Sequence, residues 1–154
     1  MGQGAIYMCG SCGNEEFVNL GVGMAYPSVY HALVEEIERG EHGERLQEYF
    51  AQHPGAVVDA GRELYQCPSC HGWHVESNLS LYVHEREETP EHGYWVSWGF
   101  GEEDNPYRFV EEHAHICPDC HEAMERVEDF DATILPCPRC GAPMSPESTL
   151  VRWD

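Results

Sequence analysis

The residues most able to do chemistry in this chain are its eight cysteines, which fall into four Cys-x-x-Cys pairs: Cys9/Cys12, Cys67/Cys70, Cys117/Cys120 and Cys137/Cys140. No cysteine lies outside the pattern. A Cys-x-x-Cys turn aims two sulfurs to one side of a tight loop, and two such turns supply the four tetrahedral thiolates that zinc prefers. Eight thiolates therefore predict two zinc ions, with all eight cysteines as ligands. Iron is the alternative metal, because a four-thiolate tetrahedron suits it as well. Gly13 and Gly141 follow the second cysteine of their pairs, where a positive φ turns backbone N–H groups toward the sulfurs. Pro68, Pro118 and Pro138 stiffen the other residues of three turns.

The last two pairs read Cys117-x2-Cys120-x16-Cys137-x2-Cys140, within the spacing of a compact four-cysteine zinc module. Local pairing therefore predicts one site from Cys117, Cys120, Cys137 and Cys140, and a second from Cys9, Cys12, Cys67 and Cys70. The second must close a loop of about 54 residues, which costs only about 1 kcal/mol more than closing about 16. Structural zinc contributes roughly 10–16 kcal/mol, so loop length forbids neither this pairing nor a crossed one.

Other uses of paired cysteines fit less well. Disulfides belong to oxidising compartments, and the first residues lack the basic and apolar regions of an export signal. A thioredoxin-type pair needs a strand-to-helix setting, whereas these pairs sit among Pro, Gly and strand-like segments. Cys67-Pro-Ser-Cys-His71 and Cys117-Pro-Asp-Cys-His121 match the haem-attachment pattern, but haem c is normally attached after export. His71, His121 and the His113-x-His115 pair invite a ligand role, yet eight cysteines already complete two tetrahedra. Elements resembling a zinc deaminase, His42-Gly-Glu44, His74-Val-Glu76 and Pro136-Cys137-Pro-Arg-Cys140, lie far apart, and a four-cysteine site leaves no open position for water. The chain is thus expected to be non-enzymatic, with an unrecognised catalytic site as a further alternative.

The elements that must position these thiols are short. Tyr7-Met8-Cys9 and Glu16 to Leu20 read as strands on either side of the first turn, and Glu63 to Gln66 as the strand feeding Cys67. Ser28 is a candidate cap for a helix over 29–39, with Val29, Leu33 and Ile37 on one face and Gly40 at its end. A second helix over 43–52 carries Leu46, Tyr49 and Phe50 and stops at Pro54-Gly55. Leu79, Leu81 and Val83 alternate along a strand over 79–84. The segment 85–93 is polar and turn-rich, a candidate linker. Tyr94 to Phe100 is an aromatic strand, more readily core than a stacking surface. The chain looks extended over 107–116, and 121–136 is expected to form a hairpin between the last two pairs. No apolar run approaches membrane-spanning length.

Cys9-Gly-Ser-Cys-Gly13 and Cys137-Pro-Arg-Cys-Gly141 resemble the knuckles of the zinc-ribbon superfamily, and the chain is similar to uncharacterised bacterial zinc-ribbon proteins. The resemblance is most specific over 117–141; over 1–84 it rests on the knuckles, with the two helices as a departure from a minimal ribbon. It implies an α+β fold of small β-rich ribbon elements with a two-helix insertion in the N-terminal half. The division expected is 1–89, a ribbon-like region with the helical insertion, and 90–154, a region with a compact ribbon. Ribbons serve transcription, translation, nucleic-acid binding and protein docking, so the likeness leaves function open.

Charge narrows that choice. The chain carries 28 Asp and Glu against 8 basic residues, every one of them Arg, for a formal net charge of −20. Two zinc ions on eight thiolates take it to about −24. Such a surface repels nucleic-acid phosphates and anionic membranes and attracts basic proteins. The expectation is a cytoplasmic interaction or regulatory module with a protein partner, basic in character, with a nucleic-acid-associated ribbon factor as the alternative.

Overall fold

The computed structural model describes residues 2–23, 26–86, 105–130, 132–147 and 151–153. The expected linker from residue 87 onward, the 89/90 boundary and the aromatic strand 94–100 lie outside the described residues. Among the described residues the fold is mixed α+β and rich in antiparallel strands, arranged in three sheets with two helices. Among the described residues no helix is long and apolar enough to cross a membrane.

The chain divides into two compact units, and neither is contiguous in sequence. The first comprises 1–23, 62–76 and 114–154; the second comprises 24–61 and 77–113. A single cut in the sequence therefore does not separate them.

The first unit holds two sheets. In the larger, β1 (Gly2–Met8) is central: it pairs along its length with β2 (Glu15–Leu20), and its other edge is shared by β10 (Pro143–Pro146) and β11 (Val151–Trp153). β9 (Leu135–Pro136) adds to β10. In the smaller sheet β4 (Arg62–Gln66) lies between β5 (Trp73–Ser77) and the two-residue β8 (Glu125–Arg126). Alternation along β1 buries Ala5 and Tyr7, which pack with Val18, Leu64, Leu135, Met144, Cys9 and Cys137 as one core. Trp73, Val127 and Phe130 pack against it, and the Tyr7 hydroxyl donates to the Phe130 carbonyl.

The second unit carries α1 (Tyr26–Glu38), α2 (Glu44–Gln52) and a sheet in the order β3 (Ala56–Val58), β6 (Leu81–His84), β7 (Tyr107–Glu111). The first helix starts before the expected cap at Ser28, because Pro27, with its fixed φ and no N–H to satisfy, fits a first helical turn. Its buried stripe is Tyr30, Leu33 and Ile37, while Val29 is 48% exposed. Gly40 at φ 80 ends it as expected. Along α2, Arg45 stacks over Tyr49, Tyr49 stacks on His53, and Arg45 grips Glu111 of β7 through two hydrogen bonds of 2.9 and 3.2 Å.

The strand expected over 79–84 begins only at Leu81. Leu79 sits at φ 62, in a turn where its N–H meets the Asp59 carbonyl at 2.7 Å and the Ser80 N–H meets Asn78 Oδ1 at 2.9 Å. Leu79 is only 3% exposed, so burial of its side chain offsets a left-handed backbone cost of roughly 1–2 kcal/mol.

Candidate metal centres

Each Cys-x-x-Cys pair is the tip of an antiparallel hairpin. The flanking partners are Met8 with Glu15, Ile116 with Ala123, and Pro136 with Pro143, and the Cys67 turn joins the paired strands β4 and β5. All four tips share one hydrogen-bond pattern. The N–H of the first cysteine donates to the carbonyl five residues on: Cys9 to Asn14, Cys67 to Gly72, Cys117 to Glu122 and Cys137 to Ala142, each at 2.8 Å. The N–H four residues on returns to the first cysteine's carbonyl, from Gly13, His71, His121 and Gly141. Those four corner residues all have positive φ, between 62 and 76. His71 and His121 thus occupy corners, in the conformation the sequence suggests only for Gly13 and Gly141, at a cost a glycine avoids.

The thiols gather into two groups whose sulfurs all lie within 4.8 Å of one another: Cys9, Cys12, Cys137 and Cys140, called site A here, and Cys67, Cys70, Cys117 and Cys120, called site B. This corrects the pairing by sequence proximity. The order along the chain is A, B, B, A, so site B is nested inside site A. Strand pairing is the physical reason. β1 leads into Cys9 and binds the strand leaving Cys140, with Tyr7 opposite Pro146 and Met8 opposite Ser145. β4 leads into Cys67 and binds the strand leaving Cys120, with Tyr65 opposite Arg126 and Gln66 opposite Glu125. Counted from their cysteines, the two registers are identical, so the two sites are copies of one arrangement.

For the same reason the two described strands within 121–136 do not form the expected hairpin with each other: β8 joins β4 and β9 joins β10. The helices likewise lie between a site A pair and a site B pair rather than inside one site. A repeat in the sequence carries this information. Tyr-x-Cys-x-Ser-Cys occurs at Tyr7 and Tyr65, and Cys-Pro-x-Cys-x-x-x-Met at Cys117 and Cys137. Each site takes one of each kind, and the corner residue sorts them: glycine twice at A, histidine twice at B.

Across the pairs the sulfurs stand 3.5 Å apart for Cys9–Cys140, 3.7 Å for Cys12–Cys137, 3.4 Å for Cys67–Cys120 and 3.6 Å for Cys70–Cys117. Four sulfurs at about 2.3 Å from a tetrahedral ion stand about 3.8 Å apart, so these separations fit a bound metal. They far exceed a disulfide's roughly 2.05 Å. In both sites the first cysteine of each pair is buried, while Cys70 and Cys140 are exposed.

Backbone N–H groups favour the thiolate at the buried end. The Cys9 thiol is lowered to about 6, mainly by the Cys12 N–H against the effect of burial, with help from the Ser11 N–H and the Cys140 and Cys12 thiols. The Cys67 thiol is lowered to about 7 by the Cys70 N–H, again against burial, and by the Cys120 thiol and Ser69 N–H. Opposite them, Cys140 is pushed up to about 12: the Ala142 N–H favours its thiolate, but the crowding of Cys12 and Cys9 and burial hold the proton on. Cys120 is likewise pushed up to about 12, despite the Glu122 N–H, by Cys67 and burial. Four sulfurs this close share negative charge poorly without a cation between them.

Among the described residues no histidine belongs to a group of three or more potential metal ligands. His115 stacks on Tyr65 with ring centroids 4.0 Å apart, and His42 lies 2.9 Å from Glu36. One glycine is specific to site B. A Cβ on Gly72 would stand 3.2 Å from Asp119 Oδ2 and 3.3 Å from Cys70 Sγ.

These features define a β-rich α+β protein with two groups of four cysteines that could hold metal ions. No family model, curated protein or solved structure matches the chain.

Proposed function

We propose that this is a zinc-ribbon protein in which two structural zinc ions shape a non-enzymatic module that binds a basic protein partner. The observation that carries the metal reading is the pair of four-sulfur groups with identical register and cross-pair separations of 3.4–3.7 Å. Four thiolates complete each coordination sphere and leave no position for a reacting water, so the metal's role is to hold hairpins together. Neither the α+β class nor the sheets by themselves specify a ribbon; its support is the hairpin-tip geometry common to all four pairs.

The partner reading rests on charge. At −20 the chain attracts basic surfaces, and several of its eight arginines are already engaged by carboxylates. Arg39 meets Glu41, Arg45 meets Glu111, and Arg126 meets both Glu63 and Glu128. The other five arginines stand against 28 acidic residues in the chain, which disfavours the nucleic-acid reading. A cytoplasmic location is consistent with eight reduced thiols.

Elemental analysis of protein purified without added metal tests the first half, with two zinc ions per chain expected. One metal per chain, or iron with its visible absorption, overturns it. Titration with a generic oligonucleotide at low salt tests the second half, with no binding at micromolar protein expected; micromolar affinity favours the nucleic-acid alternative.

A further inference from the structure

We propose that the two metal sites load cooperatively and that Trp73 is the positioning residue that couples them. This rests on both sites holding zinc as proposed above. Site A must join Cys12 to Cys137, 125 positions apart, whereas site B joins Cys70 to Cys117 across 47. Because B is nested in A, closing B removes its own loop from the path that A must close. The remaining path is about 70 residues, and the logarithmic cost of closure makes that worth about twofold in metal affinity.

The larger contribution is mechanical. Trp73 is the first residue of β5, directly after the site B turn that ends at Gly72. Its indole Nε1–H donates at 2.9 Å to the carbonyl of Pro136, the residue directly before Cys137 of site A. The side chain also packs against the core that contains Cys9 and Cys137. A second connection runs alongside: the Val127 N–H donates to the Leu64 carbonyl at 2.8 Å, and Phe130 accepts from Tyr7 of β1. Ordering the site B hairpins therefore fixes the strand that carries Cys137. One hydrogen bond of this kind is worth about fivefold, giving about tenfold coupling in all.

Coupling between binding sites is reciprocal, so each site should raise the other's affinity by the same factor. Site B, with the shorter loop, loads first.

The experiment is zinc titration of the full chain against a competing chelator, with the ratio of the second to the first stepwise constant as readout. Four proteins are compared: wild type, Trp73→Phe, Cys117→Ser/Cys120→Ser and Cys137→Ser/Cys140→Ser. Each cysteine variant is expected to bind one ion about tenfold more weakly than that site binds when its neighbour is filled. Trp73→Phe keeps the ring, loses the donor, and is expected to bind two ions with coupling reduced to about twofold. General destabilisation would weaken both steps without changing their ratio. If the cysteine variants leave the other site within twofold of its wild-type affinity, the sites are independent and cooperativity is overturned. If Trp73→Phe retains the full ratio, Trp73 is not the link. Should a cysteine variant fail to fold, the Trp73→Phe ratio alone decides the role of Trp73, and wild-type stepwise constants decide cooperativity. Absence of any zinc would instead defeat the metal reading itself, which separates the two failures.

Discussion

Sites A and B are the same device built with different corners. Both place four sulfurs at two hairpin tips, both use the same strand register, and both bury the first cysteine of each pair. Site A turns its corners with Gly13 and Gly141, and two of its cysteines join the main core. Site B turns them with His71 and His121, sets Gly72 against Asp119, and has the Tyr65 ring packed on His115. Backbone geometry thus admits two corner histidines at site B, at a strain of about 1 kcal/mol that a glycine avoids.

The comparison breaks most completely if the pairing is wrong, and a pair of fourfold variants reads this. Replacing Cys9, Cys12, Cys137 and Cys140 by serine is expected to empty site A and leave one zinc per chain. Replacing Cys9, Cys12, Cys67 and Cys70 is expected to cut both sites in half and leave none. Sequential pairing predicts the reverse, so metal content after gel filtration separates the two arrangements.

The order in which the sites ionise sharpens the comparison. In metal-free protein the first thiolate of site A should appear near pH 6 and that of site B near pH 7. Ultraviolet thiolate absorbance followed through a pH titration reads both steps, and Cys9→Ser or Cys67→Ser should each delete one. The sign for stability follows from the direction of each shift. Cys9 and Cys67 are depressed, so their stabilisation is present above the unfolded thiol value near 8.5 and is lost as pH falls through about 7 and then about 6. Cys120 and Cys140 are raised, so theirs is present below that value and is lost as pH rises toward about 12. Metal-free protein is therefore expected to be most stable near pH 8–9, the region of the unfolded thiol value. A midpoint of urea unfolding that rises steadily from pH 9 to pH 11 would contradict these directions.

Smaller effects distinguish the corners. Gly72→Ala should weaken site B by about 1 kcal/mol and leave site A unaltered, since the Cys70 sulfur held by metal cannot give way. The Asp119 carboxylate can, so adding Asp119→Ala should recover part of the loss. Gly13→His and Gly141→His should each cost roughly 1 kcal/mol, whereas His71→Gly and His121→Gly should stabilise by a few tenths, because the relief of φ is partly offset by glycine's greater unfolded freedom. Zinc retention against a chelator measures all of these.

The hairpin tips were legible in the sequence because a Cys-x-x-Cys turn is local: its shape depends on six consecutive residues. β2, β4, α2 and the end of α1 at Gly40 were legible for the same reason. The pairing was not, because it depends on β1 meeting a strand that contains Pro143 and Pro146, residues that argue against a strand. Proximity along the chain is a weak guide when closure costs grow only as a logarithm. The better signal was repetition: Tyr7 with Tyr65, Ser11 with Ser69, Met124 with Met144, and two glycine corners against two histidine corners. Leu79 misled for a different reason, since an apolar residue in register with a strand can equally be the buried corner of a turn.

Nesting also has a consequence for how the chain is made. Cys9 leaves the ribosome 131 positions ahead of its partner Cys140. At about 5–20 residues per second that is a delay on the order of ten seconds. Cys67 and Cys70 emerge within that interval, well before Cys117. For part of synthesis Cys9, Cys12, Cys67 and Cys70 are outside the exit tunnel while the other four cysteines of the two sites are not, and those first four compose the non-native grouping. If a nascent chain captures zinc with them, as the proposed function allows, the ion must exchange ligands when the later hairpins appear before the native grouping forms.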